Sequence, residues 1–209
     1  MHAEFDKDFL VLYSTSMMKK NKPSNRDLVL RVATTLFLSK GYLATSMDEI
    51  VTVSKVSKTN IYYYFKSKDD LLAAIMDQLI HTYSEMIRDM AKRSSSTVQE
   101  RFQAILHLLT HQEMECLGGC PFITLYTQMP QEAQTIREKV GQFFRDQIDI
   151  VEQLVLEGIQ KQEFKADLPA RPTAQFIVAA IEGGLFLQHA SEDSTMLEQS
   201  FPTLALLLK

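Results

Sequence analysis

The sixteen residues from Ser57 to Leu72, SKTNIYYYFKSKDDLL, constrain the fold more than any other part of the chain. They predict a helix of barely two turns, followed at once by a second helix that Ser67 and Asp70 start with the spacing of an N-cap. Ile61 and Phe65 lie four residues apart, so both belong to one inward face of the short helix. Its other face is polar and includes three consecutive tyrosines. Those rings are too large for so small a core, so some of them must face a large polar partner, for which DNA is the best candidate.

Two more helix starts precede this stretch. Ser24 with Asp27, and Ser46 with Glu49, repeat the same capping pattern. Gly41 is expected to end the first of these helices in the left-handed conformation. Two short helices separated by a turn of about three or four residues, the second rich in polar groups, predict a helix-turn-helix. An ordinary helical corner is the alternative interpretation.

The distribution of charge favours a nucleic-acid partner for this part of the chain alone. Residues 18–70 contain ten lysines and arginines against five acidic residues, whereas residues 71–209 contain eleven against eighteen. The net charge of −4 argues against a general nucleic-acid binder. A basic module joined to an acidic one is what attraction to phosphate combined with a separate second function would produce.

Cysteine usage and the missing motifs exclude several other classes. Cys116 and Cys120 are the only cysteines, so no disulfide framework is predicted and a reducing cytoplasm fits. The short apolar run near the N-terminus is too short for a signal peptide or a membrane span. The sequence has no Ser-His-Asp, phosphate-loop, dinucleotide or paired-carboxylate motif, so we expect no enzyme and no cofactor.

Residues 25–72 resemble the DNA-binding domain of the TetR family of bacterial transcriptional regulators. The resemblance is carried by Lys40-Gly41-Tyr42, Thr45-Ser46-x-x-x-Ile50, Val56-Ser57, Tyr62-Tyr63-Tyr64-Phe65-Lys66-Ser67-Lys68 and Leu71-Leu72. Lys55 and Thr59 depart from the family, which often has glycine at both positions. The operator sequence therefore cannot be taken from a relative.

The resemblance implies a role for each matching residue. Lys58, Thr59 and Asn60 correspond to the positions that read bases, and lysine and asparagine can pair with guanine and adenine respectively. The positions that correspond to phosphate contacts are Thr45, Ser46, Tyr62, Tyr63 and Lys68, with Tyr64 contacting either phosphate or base. At least one of the three tyrosines is expected to brace the corner instead.

The rest of the chain reads as further helices, which makes the predicted fold all-α with about nine helices. The later helices are predicted at Lys68–Ala91, from the Thr97 cap, at Pro121–Met129, Gln131–Gln162, Pro172–Ala190 and Ser194–Lys209. We expect an N-terminal tail (1–23), a three-helix helix-turn-helix domain (24–70) and a ligand-binding and dimerisation domain (71–209). In TetR relatives the last two helices form a four-helix bundle across a two-fold axis, which implies the same homodimer here.

The resemblance predicts a repressor that a small molecule releases from double-stranded operator DNA. Few charged residues interrupt the predicted interior, which favours a mostly apolar molecule. The predicted site lies between helices four to eight. Candidate lining residues are Met86, Met90, Phe102, His107, His111, Met114, Phe122, Tyr126, Met129, Phe143, Phe144 and Gln188. Methionine and aromatic residues at helical spacing are more often plain core.

Two alternatives to this regulator stay open. One is a thiol- or metal-responsive regulator that uses Cys116 and Cys120, with His107 and His111 upstream of them. The spacing of these residues is not a zinc-ligand pattern, and we expect no metal site. The other alternative is a DNA-binding protein without ligand control.

Overall fold

The computed structural model describes residues 24–111 and 116–209, and every regular element in those two ranges is an α-helix. The helices are α1 (Asn25–Ser39), α2 (Met47–Ser54), α3 (Lys58–Tyr64), α4 (Lys68–Ala91), α5 (Val98–Thr110), α6 (Pro121–Gln128), α7 (Gln134–Gln160), α8 (Ala170–Ala190) and α9 (Met196–Leu208). The predicted all-α class is confirmed. The predicted tail, residues 1–23, and Met114 lie outside the described residues.

Side-chain caps set the starts of the first five helices. The hydroxyls of Ser24, Ser46, Ser57, Ser67 and Thr97 each accept the backbone N–H three residues later. Helices α7 and α8 have no such cap, and both start two or three residues from the predicted position. The N–H of Ala133 donates to the Pro130 carbonyl in a turn that delays α7. Pro172 fits the first turn of α8, where backbone N–H groups have no helical partner.

Helix α4 joins two buried clusters. Its first half packs Leu72 and Ile75 with Phe37 of α1 and Ile61 of α3. Its second half packs Ile87 with residues of α5, α7 and α8. Buried packing is therefore continuous across the predicted domain boundary between residues 70 and 71. Helix α4 therefore links the first three helices to the C-terminal helices through packed side chains.

The last two helices close the C-terminal part of the chain. Helix α8 packs along α7, and α9 packs on α5 and α8. Pro202 lies inside helix α9. None of the described helices is both long and apolar enough to span a bilayer.

Candidate DNA interface and ligand cavity

Helix α3 is held by its apolar side and presents its polar side to solvent. Ile61 and Phe65 are buried against α1 and α4. Lys58, Thr59 and Tyr62 are exposed, and Asn60 is partly exposed. The face predicted to read bases is thus available to a partner. This follows from the four-residue spacing of the two apolar anchors.

The turn before α3 holds Lys55, where the family often has glycine, in the left-handed conformation, with φ of 57°. A residue with a side chain costs about 1 kcal/mol more than glycine there. Val56 next to it is buried, and its N–H donates to the Ser54 hydroxyl at 3.3 Å. Burial of Val56 offsets the strain and fixes the angle between α2 and α3.

The three tyrosines divide between the surface and the core. Tyr63 is 73% exposed and Tyr62 is 37% exposed. Tyr64 is half-buried, and its ring packs edge-on against that of Tyr63, with 5.2 Å between centroids. Tyr64 also packs partly against the core, whereas the other two can present hydroxyls to a phosphate backbone.

The ammonium of Lys58, the predicted guanine reader, is already paired in the DNA-free protein. Its Nζ lies 2.8 Å from Oδ1 of Asp48 on α2, and both side chains are largely exposed. The bond to Asp48 raises the pKa of Lys58. A base contact must therefore compete with this carboxylate.

The predicted phosphate contacts differ in their availability. Ser46 is exposed and caps α2. Thr45 is 1% exposed, and its hydroxyl donates to the Gly41 carbonyl at 2.8 Å. A buried hydroxyl cannot reach a phosphate, so the predicted contact of this side chain is corrected to a structural role in the turn.

Lys68 links the start of α4 to the α1–α2 turn. Its Nζ donates to the Thr45 carbonyl at 2.8 Å and lies 4.2 Å from the centre of the Tyr42 ring. The Tyr42 hydroxyl donates to Asp69. Partial burial lowers the pKa of Lys68. A phosphate contact by Lys68 would use the protons that these two contacts leave free.

A cavity of about 60 Å³ lies between α4, α5, α6, α7 and α8, the region predicted for a ligand. Leu38 at the end of α1 completes its wall. Tyr83, Phe122 and Phe143 form an aromatic side, with the last two rings stacked at 4.1 Å. Most of the remaining wall is aliphatic. A cavity of this size holds water or a small group, and a typical ligand site of about 300–1,000 Å³ requires the helices to separate.

Two polar atoms in this apolar wall have no hydrogen-bond partner from the protein. They are Nε2 of Gln147 on α7 and Oε2 of Glu182 on α8. The thiol of Cys120 donates to the Glu182 carboxyl, and burial raises the pKa of that carboxyl. Native proteins rarely leave buried polar atoms unpaired, so both atoms call for a hydrogen-bond partner inside the cavity, either water or a bound molecule.

The sequence did not single out either of these residues. Gln147 lies between Phe143 and Val151 at steps of four in the inward stripe of α7, where an apolar residue is expected. Glu182 is the only acidic residue of α8. A polar side chain inside an apolar stripe was the signal available for both.

Of the predicted ligand residues, Phe122 and Phe143 line the cavity. Phe144 packs on both of these rings without lining it. Met90, Phe102 and Met129 are buried in the core elsewhere, and Met86 is partly buried on α4.

The other predicted ligand residues have surface or structural positions. Tyr126 is exposed under the Arg137 guanidinium. His107 and His111 stack on each other at 4.0 Å on the surface. Gln188 accepts the N–H of Leu197 at 3.3 Å.

Cys120 is a buried packing residue, and Cys116 is partly buried. Burial raises the pKa of both thiols, and Cys116 shares a 2.9 Å hydrogen bond with the Thr124 hydroxyl. Thiolate is the reactive form, so neither environment favours oxidation or metal binding. Among residues 24–111 and 116–209, no group of three His, Cys, Asp or Glu side chains is placed to hold a metal ion.

The segment before α6 connects the cavity to α1. The N–H of Leu117 donates to the Leu38 carbonyl at 3.1 Å. Gly119, with φ of 73°, packs directly on the Leu185 carbonyl of α8, where a side chain would collide. Leu38 and Gly119 both line the cavity. Expansion of the cavity therefore acts on α1 as well as on α4.

Helices α8 and α9 expose large apolar side chains. They are Phe176, Phe186, Leu187, Leu206 and Leu207, each at least half exposed. A Cβ built on Gly183 of α8 would meet nothing within 4 Å. Exposed apolar surface concentrated on two helices indicates an interaction face.

Two family models match the chain. The model described as bacterial regulatory proteins, tetR family, matches residues 29–75. The model described as the C-terminal domain of tetracyclin repressor-like proteins matches residues 96–204. Together they cover the helix-turn-helix and, of the helices around the cavity, α5 to α8.

Individual transcriptional regulators are also similar to this chain in sequence or in structure. An uncharacterized HTH-type transcriptional regulator from the lacX 3′ region of Lactococcus lactis is 27% identical over 188 residues, 88% of this chain and 93% of that protein. The transcriptional regulator QacR of Staphylococcus aureus is 30% identical over 133 residues, 64% of this chain and 70% of that protein. A TetR-family regulator from Agrobacterium tumefaciens, 20% identical, matches in structure with a TM-score of 0.78 over 88% of this chain and 97% of that chain. At that identity the structural match shows the fold alone.

Proposed function

Because this chain belongs to the tetR family of bacterial regulatory proteins and is a DNA-binding transcriptional regulator, we propose that it is a repressor released from its operator by a small, mostly apolar molecule that binds in the cavity. The observation that carries the proposal is an apolar cavity whose wall includes both the core of the C-terminal helices and Leu38 of α1. A molecule bound there touches both halves of the chain.

The operator contacts follow from the exposed face of α3 and its neighbours. Lys58, Thr59 and Asn60 read bases in the major groove. Tyr62, Tyr63 and Ser46 contact phosphates on either side, and Lys68 adds a phosphate contact from α4. Their location in the basic part of the chain supports this assignment.

The exposed apolar face of α8 and α9 supports a homodimer through these two helices. Two recognition helices enter successive major grooves only when they are held about 34–36 Å apart. A two-fold axis through this face supplies such a constraint, because the same patch serves both protomers. Binding to DNA also implies that the protein acts in the cytoplasm.

The structure gives the thiol-responsive alternative no support, since burial raises the pKa of both thiols. A regulator without ligand control has no need of an apolar cavity whose wall includes Leu38 of α1. A ligand-responsive repressor accounts for the cavity, the partnerless atoms and the contact with α1 together.

The test is operator binding by fluorescence anisotropy, on DNA upstream of the protein's own gene, during a screen of small apolar molecules. A molecule that releases the DNA should lose its effect on Val151→Phe, which fills the cavity from α7. Gln153→Phe, on the exposed side of the same helix, is the control and should respond like the wild type. Release that persists in Val151→Phe would show that the effector binds elsewhere.

A reporter gene behind the same operator tests the direction of regulation. Expression should fall when the protein is present and recover when the releasing molecule is added. Expression that rises with the protein would identify an activator instead.

A further inference from the structure

The two polar atoms in the cavity restrict the chemistry of its ligand. The Gln147 side chain is only 7% exposed, and its Nε2 can only donate a hydrogen bond. Glu182 lies in the same wall on the neighbouring helix with Oε2 unpaired. Water can satisfy both atoms in the free protein, so a ligand that displaces water must reproduce its hydrogen bonds to bind well.

An anionic ligand does not fit this wall. None of the described residues that line the cavity is lysine, arginine or histidine. A buried anion would therefore have no counterion, and it would face the carboxyl of Glu182.

A cationic ligand fits one polar atom and conflicts with the other. An ammonium group could pair with ionised Glu182. The N–H groups of Gln147 Nε2 would then face an ammonium, which has only donors. Nε2 would therefore remain without a hydrogen-bond partner. Burial also disfavours the ionised form of Glu182 that a cation requires.

An uncharged oxygen satisfies both atoms. A hydroxyl or carbonyl oxygen has two lone pairs, which can accept from the Gln147 amide and, when the Glu182 carboxyl is protonated, from that carboxyl. A hydroxyl can also donate to Glu182 if that carboxyl is ionised. We infer that the effector is an uncharged molecule with a small apolar body and one hydroxyl or carbonyl oxygen, which Gln147 and Glu182 hold together. This inference rests on the proposed function, because it names the ligand of that cavity.

A matched series of probes tests the inference. Benzyl alcohol, toluene, benzylamine and benzoate share one ring and differ in the head group. In calorimetric titrations, benzyl alcohol should bind the wild type about five- to tenfold more tightly than toluene, the gain from about one net hydrogen bond. Benzylamine and benzoate should bind more weakly than the alcohol.

Two variants locate the effect. Gln147→Leu should bind the alcohol no better than toluene, while its melting temperature stays at or above that of the wild type because a buried unpaired donor is gone. Glu182→Gln can still donate and accept, so it should keep the preference for the alcohol. Gln153→Leu, on the exposed side of α7, is the control and should match the wild type.

The outcomes separate this inference from the proposed function. Tightest binding by benzylamine or benzoate, equal binding of toluene and the alcohol, or no binding of the alcohol at millimolar concentration would each overturn the inference. The proposed function would still stand if some other molecule released the operator and Val151→Phe blocked that release.

Discussion

The pairing of Lys58 with Asp48 shows how one residue of the recognition helix is poised before DNA arrives. Both side chains are exposed, so the pair is screened by salt and holds Lys58 only weakly. Asp48 also places a negative charge close to the DNA-binding face. The carboxylate therefore opposes binding to every sequence, while Lys58 is expected to distinguish one base pair.

Lys58→Ala and Asp48→Asn should consequently have different effects on DNA binding. Lys58→Ala should reduce the preference at one operator position about tenfold and leave the others unchanged. Asp48→Asn should strengthen binding to operator and to unrelated DNA alike, because it removes repulsion from phosphate. Anisotropy across a library of single-base operator variants measures both effects. A uniform loss with Lys58→Ala would assign that residue to phosphate instead.

Arg101 and Glu157 form the best-buried ion pair among the described residues. The Arg101 side chain is 3% exposed, and its two terminal nitrogens donate to the Glu157 oxygens at 2.9 and 2.5 Å. Arg101 and Lys161 lower the pKa of Glu157 to about 2. The folded value is below the unfolded value of 4.5, so this stabilisation is present above pH 4.5 and is lost as the pH falls toward 2.

Glu157→Gln should therefore lower the free energy of unfolding at pH 7 by about 3 kcal/mol, because it leaves a buried guanidinium without its carboxylate. The difference from the wild type should shrink as the pH falls from 4.5 to 2, where the wild-type carboxyl is itself protonated. Urea unfolding at several pH values measures both. If the difference in unfolding free energy between variant and wild type does not change with pH, the lost stability comes from packing rather than from charge.

At the scale of whole helices, local signals made most of the fold predictable from sequence. The Ser67 cap and the apolar stripe of α4 predict Lys68–Ala91, which is the observed helix. Where no side chain caps a helix, as at α7 and α8, the start depends on the preceding turn and was misplaced. The recognition face was predictable for the same reason, since Ile61 and Phe65 decide which side of α3 is exposed.

The cavity was less predictable because no single helix determines it. Five helices and Leu38 meet there. A cavity remains only where the side chains of all these elements together leave space unfilled, which no single stretch of sequence shows. Methionines such as Met90 fitted the expected composition of a pocket and are core instead. Gln147 carried the better signal, a polar residue where the stripe of α7 requires an apolar one.

Gly118 and Gly119 look equivalent in the sequence and have different roles in the structure. Gly119 has positive φ and lies against the Leu185 carbonyl, whereas a Cβ on Gly118 would only touch the Thr124 hydroxyl at 3.0 Å. Gly119→Ala should destabilise the fold by about 1–3 kcal/mol and weaken operator binding, since it pushes the start of α6 away from α8. Gly118→Ala should have a small effect on both. Thermal unfolding measures the stability of the two variants, and fluorescence anisotropy measures their operator affinity. Equal losses of stability and affinity in the two variants would contradict the different roles of the two glycines.

At the scale of the molecule, dimerisation can be separated from folding with Gly183. The neighbouring Gly184 is unsuitable, because a side chain there would collide with Leu197 of the same protomer. A Cβ on Gly183 has open space around it, so Gly183→Trp should leave the melting temperature of the monomer nearly unchanged and obstruct a partner. Sedimentation at micromolar concentration should show a monomer, and operator affinity should fall with it. A Gly183→Trp variant that remains a dimer would place the interface on another face.

The cavity couples ligand to DNA only if it differs between the two states. At about 60 Å³ it is smaller than a typical ligand site of about 300–1,000 Å³, so an occupant must separate the surrounding helices. That movement displaces Leu38 and the hydrogen bond from Leu117 that ties the segment before α6 to α1. A ligand can shift the protein away from DNA only to the extent that it binds the expanded state more tightly.

Operator and ligand should therefore weaken each other by the same factor, on the order of 5- to 150-fold. Calorimetric titration of a releasing molecule into the free protein and into the protein–operator complex gives one factor. Anisotropy of the operator with and without a saturating amount of that molecule gives the other, and thermodynamic linkage requires the two to agree. Val151→Phe should reduce both factors to one while it keeps operator affinity, because it fills the space that the ligand would open. If the wild-type protein binds the molecule equally well with and without operator, occupation of the cavity does not control DNA binding.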